Sequence, residues 1–296
     1  MMAARESIVP EITTGEYAGF QRLIGEVSGI TLGSGKRQLL VGRVARTVRE
    51  RGLRSYGEYL DIVRSDTSGQ ELVRLLDLVT TNETRFFREK SHYRYLTEEL
   101  LPAWRRQADV GVRPRRVRVW SAACSTGQEP YSVAMLLHDR LPDTDGWIIE
   151  MFASDLSTRA LDVAARGEYD VTKADDIPKP YLRRFMRRGV GARGGTMRVA
   201  DEIRDGIRFL RINLNEAEYP VPGAFDLVLC SNALIYFSRA GQSGVVSRLT
   251  DRLAPDGRLF VGHAESLHDH RTLLRSVAPT VYARATSALP GQVTRS

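Results

Sequence analysis

The sequence predicts an α/β protein: a doubly wound, mostly parallel sheet with a small β insertion, preceded by a small all-helical domain. Three observations carry this. From about residue 115 onward, short β-like runs alternate with helical stretches, the pattern of parallel strands joined by crossover helices. The first eighty residues show helical periodicity and repeated helix-start signals, with no strand-like alternation. Between Gly167 and Ile207 lie about forty residues where such folds use roughly 2–6. Two β-capable runs flank Gly191–Gly195 there, so a small antiparallel insertion is expected at about 168–207.

The helical domain, 1–80, is read from its caps and faces. Thr13 with Glu16, Ser55 with Glu58 and Ser68 with Glu71 have capping-box spacing. Tyr17, Phe20, Ile24 and Val27 form one apolar face, and Gly29 can end that helix. A second helix runs from about Gly35 to Arg51. A third carries Tyr56, Tyr59, Leu60 and Val63, and a fourth Leu72, Leu75, Leu76 and Val79. A linker, 81–95, leads to the larger domain, 96–296. Its strands are expected at Val117–Trp120, Ile148–Asp155, Ile207–Leu214, Phe225–Asn232, the RLFVGH segment after Pro255-Asp256-Gly257, and Val281–Ala283. Intervening helices end near Leu141, at Gly167 and near Leu253.

Composition excludes several classes. The 296 residues are 42% hydrophobic and 27% charged, which is globular usage. No run approaches 18 apolar residues, and the N-terminus lacks the apolar stretch of a secretory signal, so no membrane insertion and a cytoplasmic location are expected. Two cysteines about a hundred residues apart make neither a disulfide scaffold nor a zinc site, and no metal is expected. The net charge of +7 favours an anionic partner without naming it.

An open α/β sheet binds its ligand at the turn after its first strand. Here that turn is Ala122-Ala123-Cys124-Ser125-Thr126-Gly127-Gln128-Glu129-Pro130. One glycine and an acid at the helix start make a poor pyrophosphate site, but Glu129 suits a cationic group such as an α-ammonium. Asp155, at the end of the second strand, can accept both ribose hydroxyls; capping of the next helix is the alternative. One nucleoside, one amino group and no phosphate describe S-adenosylmethionine. Other motifs fail. Gly33-Ser34-Gly35-Lys36 lacks the first glycine and the hydroxyl residue of a P-loop, and Gly241-Gln242-Ser243-Gly244 has the wrong spacing for a nucleophile elbow. His268-Asp269-His270 reads as a solvated turn.

Four segments then occur in order: TTNETRFFRE (80–89), WSAACSTGQEPYS (120–132), LIYF (234–237) and GHAESL (262–267). Together they resemble the CheR family, glutamate O-methyltransferases of chemotaxis receptors, over nearly the whole chain. The resemblance implies a class I SAM-dependent methyltransferase, Rossmann-like, with S-adenosylmethionine as methyl donor and S-adenosylhomocysteine as product. It implies that Asn82, Thr84 and Arg88 close over the cofactor. By the same resemblance Glu129 holds the methionine amino group, Asp155 the ribose, and Asn213 and Leu214 lie near the adenine. Ser231 and Asn232 line the methionine side; Arg88 and Tyr236 act at the transfer step. The insertion docks a receptor C-terminal peptide in some members. Two positions depart from the family pattern: Ser231 stands where arginine is usual, and Gln128 where glutamate is common.

Between Lys36 and Arg54 there are seven basic residues and one acid. Lys36, Arg43, Arg46 and Arg49 fall on one helical arc and Leu40, Val41, Val44 and Val48 on the opposite one, so the basic arc is expected to meet the acidic helical surface of a receptor's cytoplasmic domain. Nucleic acid is not the expected partner, because no stacking aromatics interleave with the arginines. The competing readings are an RNA methyltransferase and a cofactor-binding, receptor-docking module without turnover, the latter resting on Ser231 alone. A monomer is expected, since no dimerisation segment is evident.

Overall fold

A computed structural model describes residues 11–285; the outer parts of the expected domains, 1–10 and 286–296, lie outside the described residues. Four helices come first: α1 (Thr14–Ser28), α2 (Arg37–Glu50), α3 (Tyr56–Ser65) and α4 (Gln70–Val79). The start of α1 is a full capping box. Thr13 Oγ1 accepts the Glu16 amide at 3.2 Å while the Glu16 carboxylate accepts the Thr13 amide at 2.7 Å. Gly29 ends α1 at φ 71°, and a side chain there would collide with the Phe237 ring at 2.8 Å, so this position needs glycine twice over. Phe20, Ile24, Leu40, Val44, Val48, Tyr59 and Leu75 are fully buried, each contributing about 1.5–3 kcal/mol by removal from water.

Two start signals work differently from expectation. Ser55 accepts the Glu58 amide, but the Glu58 carboxylate turns back to Arg54 instead of closing the box. Ser68 does not take the N-cap of α4: Gly69 does, at φ 73°, while Ser68 Oγ accepts the Gln70 amide at 3.3 Å and Asp66, two residues further back, accepts the Glu71 amide at 2.7 Å. The longer reach of the loop lets an aspartate do what a serine at ideal spacing does elsewhere.

The stretch expected as linker, 81–95, has neither helix nor strand to Glu89, turns at Phe86-Phe87 with Phe87 at φ 49°, and is then helical. Helix α5 (Lys90–Tyr95) continues through a π turn (Leu96–Leu100) into α6 (Leu101–Asp109). The sheet follows: β1 (Arg116–Ser121), α7 (Gln128–Arg140), β2 (Ile148–Asp155), α8 (Thr158–Arg166), β3 (Glu168–Asp170), α9 (Lys179–Phe185), β4 (Met186–Arg188), β5 (Thr196–Val199), α10 (Asp201–Arg204), β6 (Ile207–Arg211), β7 (Phe225–Cys230), α11 (Arg239–Asp251), β8 (Leu253–Val261), β9 (Leu274–Ala278) and β10 (Val281–Arg284). The main sheet has the order β6-β2-β1-β7-β8-β10-β9, parallel through β8 and antiparallel beyond it. This is the predicted α/β class. The central strands are apolar without alternation: Leu227, Val228, Leu229 and Cys230 are all buried, because both faces are covered. β9 was not predicted; as an edge strand with Arg275 and Ser276 exposed it has no apolar run to reveal it. Pro255-Asp256-Gly257 do not precede β8 but bulge within it, where the pairing to β7 slips.

The expected insertion is a separate antiparallel sheet of order β3-β5-β4, carrying α9. Its Tyr169 and Tyr181 pack on Phe86 and Phe87, centroids 5.0 and 5.5 Å apart, so it is anchored to the TTNETRFFRE segment. The helical domain lies over the C-terminal ends of the strands. Asn213 Nδ2 donates to Val27 O at 2.8 Å, the Thr31 amide to Tyr236 O at 2.7 Å, and Thr158 Oγ1 to Asp77 at 2.5 Å.

Candidate active site

The chain turns from β1 toward β2 and β6 on one side, and only later places β7 on the other. Between the C-terminal ends of β1 and β7 a crevice is therefore unavoidable. The helical domain roofs it with Ile30, Leu32, Lys36 and Leu39, and the 80–93 segment closes one wall. Asn82, Thr84, Arg88, Glu129, Asp155, Asn213, Leu214, Ser231, Asn232 and Tyr236 all line this single cavity, and so does Lys36. Arg43, Arg46 and Arg49 do not.

Local backbone explains how the acids get there. After β1 the chain must turn sharply under the cavity. Ser125 takes φ 51° and Gly127 φ 94° to do so, and a Cβ on Gly127 would meet the Ala164 Cβ at 2.9 Å. The turn is tied across the crevice. The Ser125 amide donates to Asp155 Oδ2 at 2.8 Å, and its hydroxyl to Asn82 O at 2.8 Å. Asp155 also accepts the Ser157 amide at 2.9 Å on its other oxygen. The cap of α8 is Ser157, which accepts the Ala160 amide, so capping is not the work of Asp155. Burial pushes the Asp155 carboxyl up and these amides oppose it.

Glu129 is the most perturbed carboxyl of the cavity. Burial pushes it up to about 7, against a 2.8 Å bond from the Ser121 hydroxyl, with Glu265 and Glu89 adding repulsion. It has no cationic side chain within ion-pair distance among the described residues, so a ligand cation is what this carboxylate lacks. Nearby, the buried Ser231 hydroxyl stands beside the Glu129 carboxylate and works with Ser121 to lower it, without a well-formed hydrogen bond of its own. His92 is buried, held neutral with its pKa lowered to about 4 by desolvation, and bonded to Thr280. An acid wanting a cation, with a second acid at the next strand end, fits the polar atoms of S-adenosylmethionine. Glu129 would take its ammonium and Asp155 its ribose hydroxyls.

Arg88 donates to Glu83 O at 3.2 Å and to Asn232 Oδ1 at 3.2 Å, and pairs with no carboxylate among the described residues. Tyr236 sits in a short helical turn whose backbone is held by Thr31, with the Lys36 ammonium 5.0 Å from its ring centroid. Asn213 uses its carboxamide on Val27 and Asn215, leaving its backbone and Leu214 to face the cavity.

The basic arc divides. Arg43 is consumed internally, donating to Val79 O and Thr80 O at 2.6 and 2.7 Å and so capping the end of α4. Arg46 forms an exposed pair with Glu50, Arg49 is exposed, and Lys36 turns inward to Tyr236. A helical wheel reports direction from the axis and says nothing of a carbonyl-rich helix end packed alongside, which is what claims Arg43.

Sequence reasoning assigned no role to Glu89 or Glu265, two buried carboxylates beside Asn232. Their signal was present, since both lie in the quoted motifs. Among the described residues, no group of three His, Cys, Asp or Glu side chains is placed to hold a metal, and no helix is long and apolar enough to cross a membrane.

Residues 82–283 match the family model described as "CheR methyltransferase, SAM binding domain", and residues 15–80 match "CheR methyltransferase, all-alpha domain". Among curated relatives, the chain is 36% identical to "Chemotaxis protein methyltransferase 2" of Pseudomonas aeruginosa over 92% of this chain and 94% of that protein. It is 37% identical to "Chemotaxis protein methyltransferase" of Salmonella typhimurium over 88% and 87%. The Escherichia coli protein of the same name is 36% identical over 92% and 91%.

Proposed function

The chain belongs to the CheR methyltransferase family, with S-adenosylmethionine as its cofactor, and from this and the cavity we propose that it methylates glutamate side chains of chemoreceptors. The product is a γ-glutamyl methyl ester, formed by direct in-line transfer. The observation that carries the reading is the half-buried, cation-seeking Glu129 in one cavity with Asp155 and with Arg88, which pairs with no carboxylate among the described residues.

The bound cofactor supplies a methyl group on a positive sulfur: as a carboxylate oxygen bonds to that carbon, the carbon–sulfur bond breaks and its electrons stay on sulfur. A glutamate carboxyl, with an ordinary pKa of about 4.3, is already ionised at neutral pH, so no general base is required. The protein's work is positioning, since reacting atoms must be held about 3–3.5 Å apart. Arg88 has N–H groups beyond those given to Glu83 and Asn232, and these orient the incoming carboxylate by charge-assisted bonds. Tyr236 directs a phenol hydrogen bond to the same place. Tight ground-state binding would be counterproductive, because the carboxylate loses charge on the way to the ester. Asn82, Thr84, Asn213, Leu214, Ser231 and Asn232 complete the cofactor's enclosure.

The substrate is the cytoplasmic domain of a methyl-accepting receptor, met by the exposed Arg46 and Arg49 with Lys36 at the mouth; Arg43 contributes by holding α4 in place. The insertion sheet offers the exposed Arg188 to a receptor C-terminal peptide, flanked by Arg187 and Arg193, which pair with Glu202 and Glu168. We place the enzyme in the cytoplasm as a monomer. The test is transfer from radiolabelled S-adenosylmethionine to chemoreceptor membranes. Base-labile counts that fall by about tenfold or more in Arg88→Ala are expected, the loss of a hydrogen bond to a charged group. Base-stable label, or label found on RNA, overturns the reading.

A further inference from the structure

Asn232 occupies an unusual position. It follows β7 at φ 61°, a left-handed conformation that costs most residues about 1–2 kcal/mol and asparagine less. Its neighbour across the turn is Gly262, where a Cβ would lie 2.8–2.9 Å from Asn232 atoms. Something must hold the residue there, and two buried carboxylates do.

Glu265 acts on the backbone. One of its oxygens accepts the amides of Asn232 at 2.8 Å and Gly262 at 2.6 Å; the other accepts Leu234 at 2.7 Å and Ile235 at 3.3 Å. A single carboxylate thus gathers four N–H groups from two loops, including the turn that carries Tyr236. Glu89 acts on the side chain, accepting Asn232 Nδ2 at 3.3 Å while also meeting His263. On the other side of the carboxamide stands Arg88. A guanidinium only donates and a carboxylate only accepts, so the carboxamide has one satisfied orientation: Nδ2 to Glu89, Oδ1 to Arg88.

We propose that Glu265 and Glu89 are positioning residues of the cofactor site, fixing between them the backbone and the carboxamide of Asn232. The inference rests on the reading that Asn232 faces the cofactor, and it goes beyond it by naming what aims Asn232 and, through it, Arg88.

The test is calorimetric titration of S-adenosylhomocysteine into the full chain and into Glu265→Gln, Asn232→Ala and the double variant. Each single change weakens binding about tenfold, and the double variant loses no more than about thirtyfold, because part of what Glu265 does passes through the Asn232 side chain. Losses that multiply to about a hundredfold, or a Glu265→Gln protein within about twofold of wild type, overturn the role of Glu265. Should Glu265→Gln fail to fold, Glu89 carries the test. Glu89→Gln can turn its carbonyl to Asn232 and keeps affinity within about twofold, whereas Glu89→Leu frees the carboxamide to turn Nδ2 on Arg88 and loses about fivefold. Equal affinities for the two Glu89 variants overturn the proposal. No receptor enters these titrations. A chain that shows the coupling yet transfers no methyl group to receptors therefore refutes the proposed function and leaves this inference standing.

Discussion

Binding of S-adenosylhomocysteine should strengthen as the pH rises from 6 to 7.5, because Glu129 must be ionised to receive an ammonium. In the unliganded protein burial holds this carboxyl at about 7. At that value it is about 9% ionised at pH 6 and about 76% at pH 7.5. If only the ionised form binds, the dissociation constant falls about eightfold over this interval, or about 1.2 kcal/mol. His92, lowered to about 4, stays neutral throughout and adds nothing. Above this range the ligand's own ammonium begins to lose its proton, so the affinity passes through a maximum. The stability of the unliganded fold moves the other way. An acid raised from 4.5 to about 7 is protonated in the fold while the unfolded chain has released its proton, so about 3 kcal/mol present below pH 4.5 is lost by pH 7. The assay is calorimetry at four pH values in buffers of matched ionic strength, on wild type and Glu129→Gln. The variant should bind more weakly at pH 7.5 and show no slope. A flat wild-type profile, or a slope that survives in Glu129→Gln, refutes the assignment of the ammonium to Glu129.

Three further outcomes follow from the packing. Gly127→Ala combines a φ of 94° with a collision against Ala164, and should lower stability by about 1–3 kcal/mol and weaken cofactor binding, read by denaturant melts and titration. Arg43→Ala removes two bonds to the end of α4 and should lower the melting temperature, whereas Arg46→Ala, which gives up only an exposed pair, changes it little and raises KM for receptor; melts and methylation kinetics separate the two. Ser231→Ala removes a hydroxyl that makes no well-formed hydrogen bond but helps hold Glu129 down, so it should change stability by less than about 0.5 kcal/mol while moving the pH profile of S-adenosylhomocysteine binding upward; a larger loss in a melt, or an unmoved profile, contradicts this.

How much of this was legible in the sequence depended on whether the cause was local. The span Ile148–Asp155 was read to the residue, and Gly29 and Gly167 as helix ends, because apolar runs and left-handed glycines carry their own signature. The location of Glu129 and Asp155 followed from the rule that ligands bind at strand ends of an α/β sheet. Arg43 was misjudged because its partners, Val79 O and Thr80 O, lie 36 and 37 residues away and are carbonyls, which leave no mark on residue type. Ser68 takes the Gln70 amide instead of that of Glu71, because Asp66 is the better placed acceptor for the latter. The GHAESL motif marked Glu265, but not what it holds, for the same reason as with Arg43: all four of its partners are backbone amides.

The contact between the roof and the sheet has a consequence for how the two halves can drift in sequence. At the end of α1 the helical domain offers its partner main chain only: the carbonyls of Glu26 and Val27 to Asn213 and Asn215, and the amide of Thr31 to the carbonyl of Tyr236. Every residue except proline presents the same carbonyl and amide, so substitution at 26, 27 or 31 leaves this part of the seam chemically identical. The specificity burden falls instead on Asn213, Asn215 and the shape of Gly29 against Phe237. A helical domain transplanted from a distant relative should therefore seat along this edge, provided it keeps that glycine. Side-chain complementarity must be matched at Asp77 and Thr158, on the far side of the roof. The seam thus leaves room for the roof's outer surface to diversify while its contact with the chamber beneath is kept.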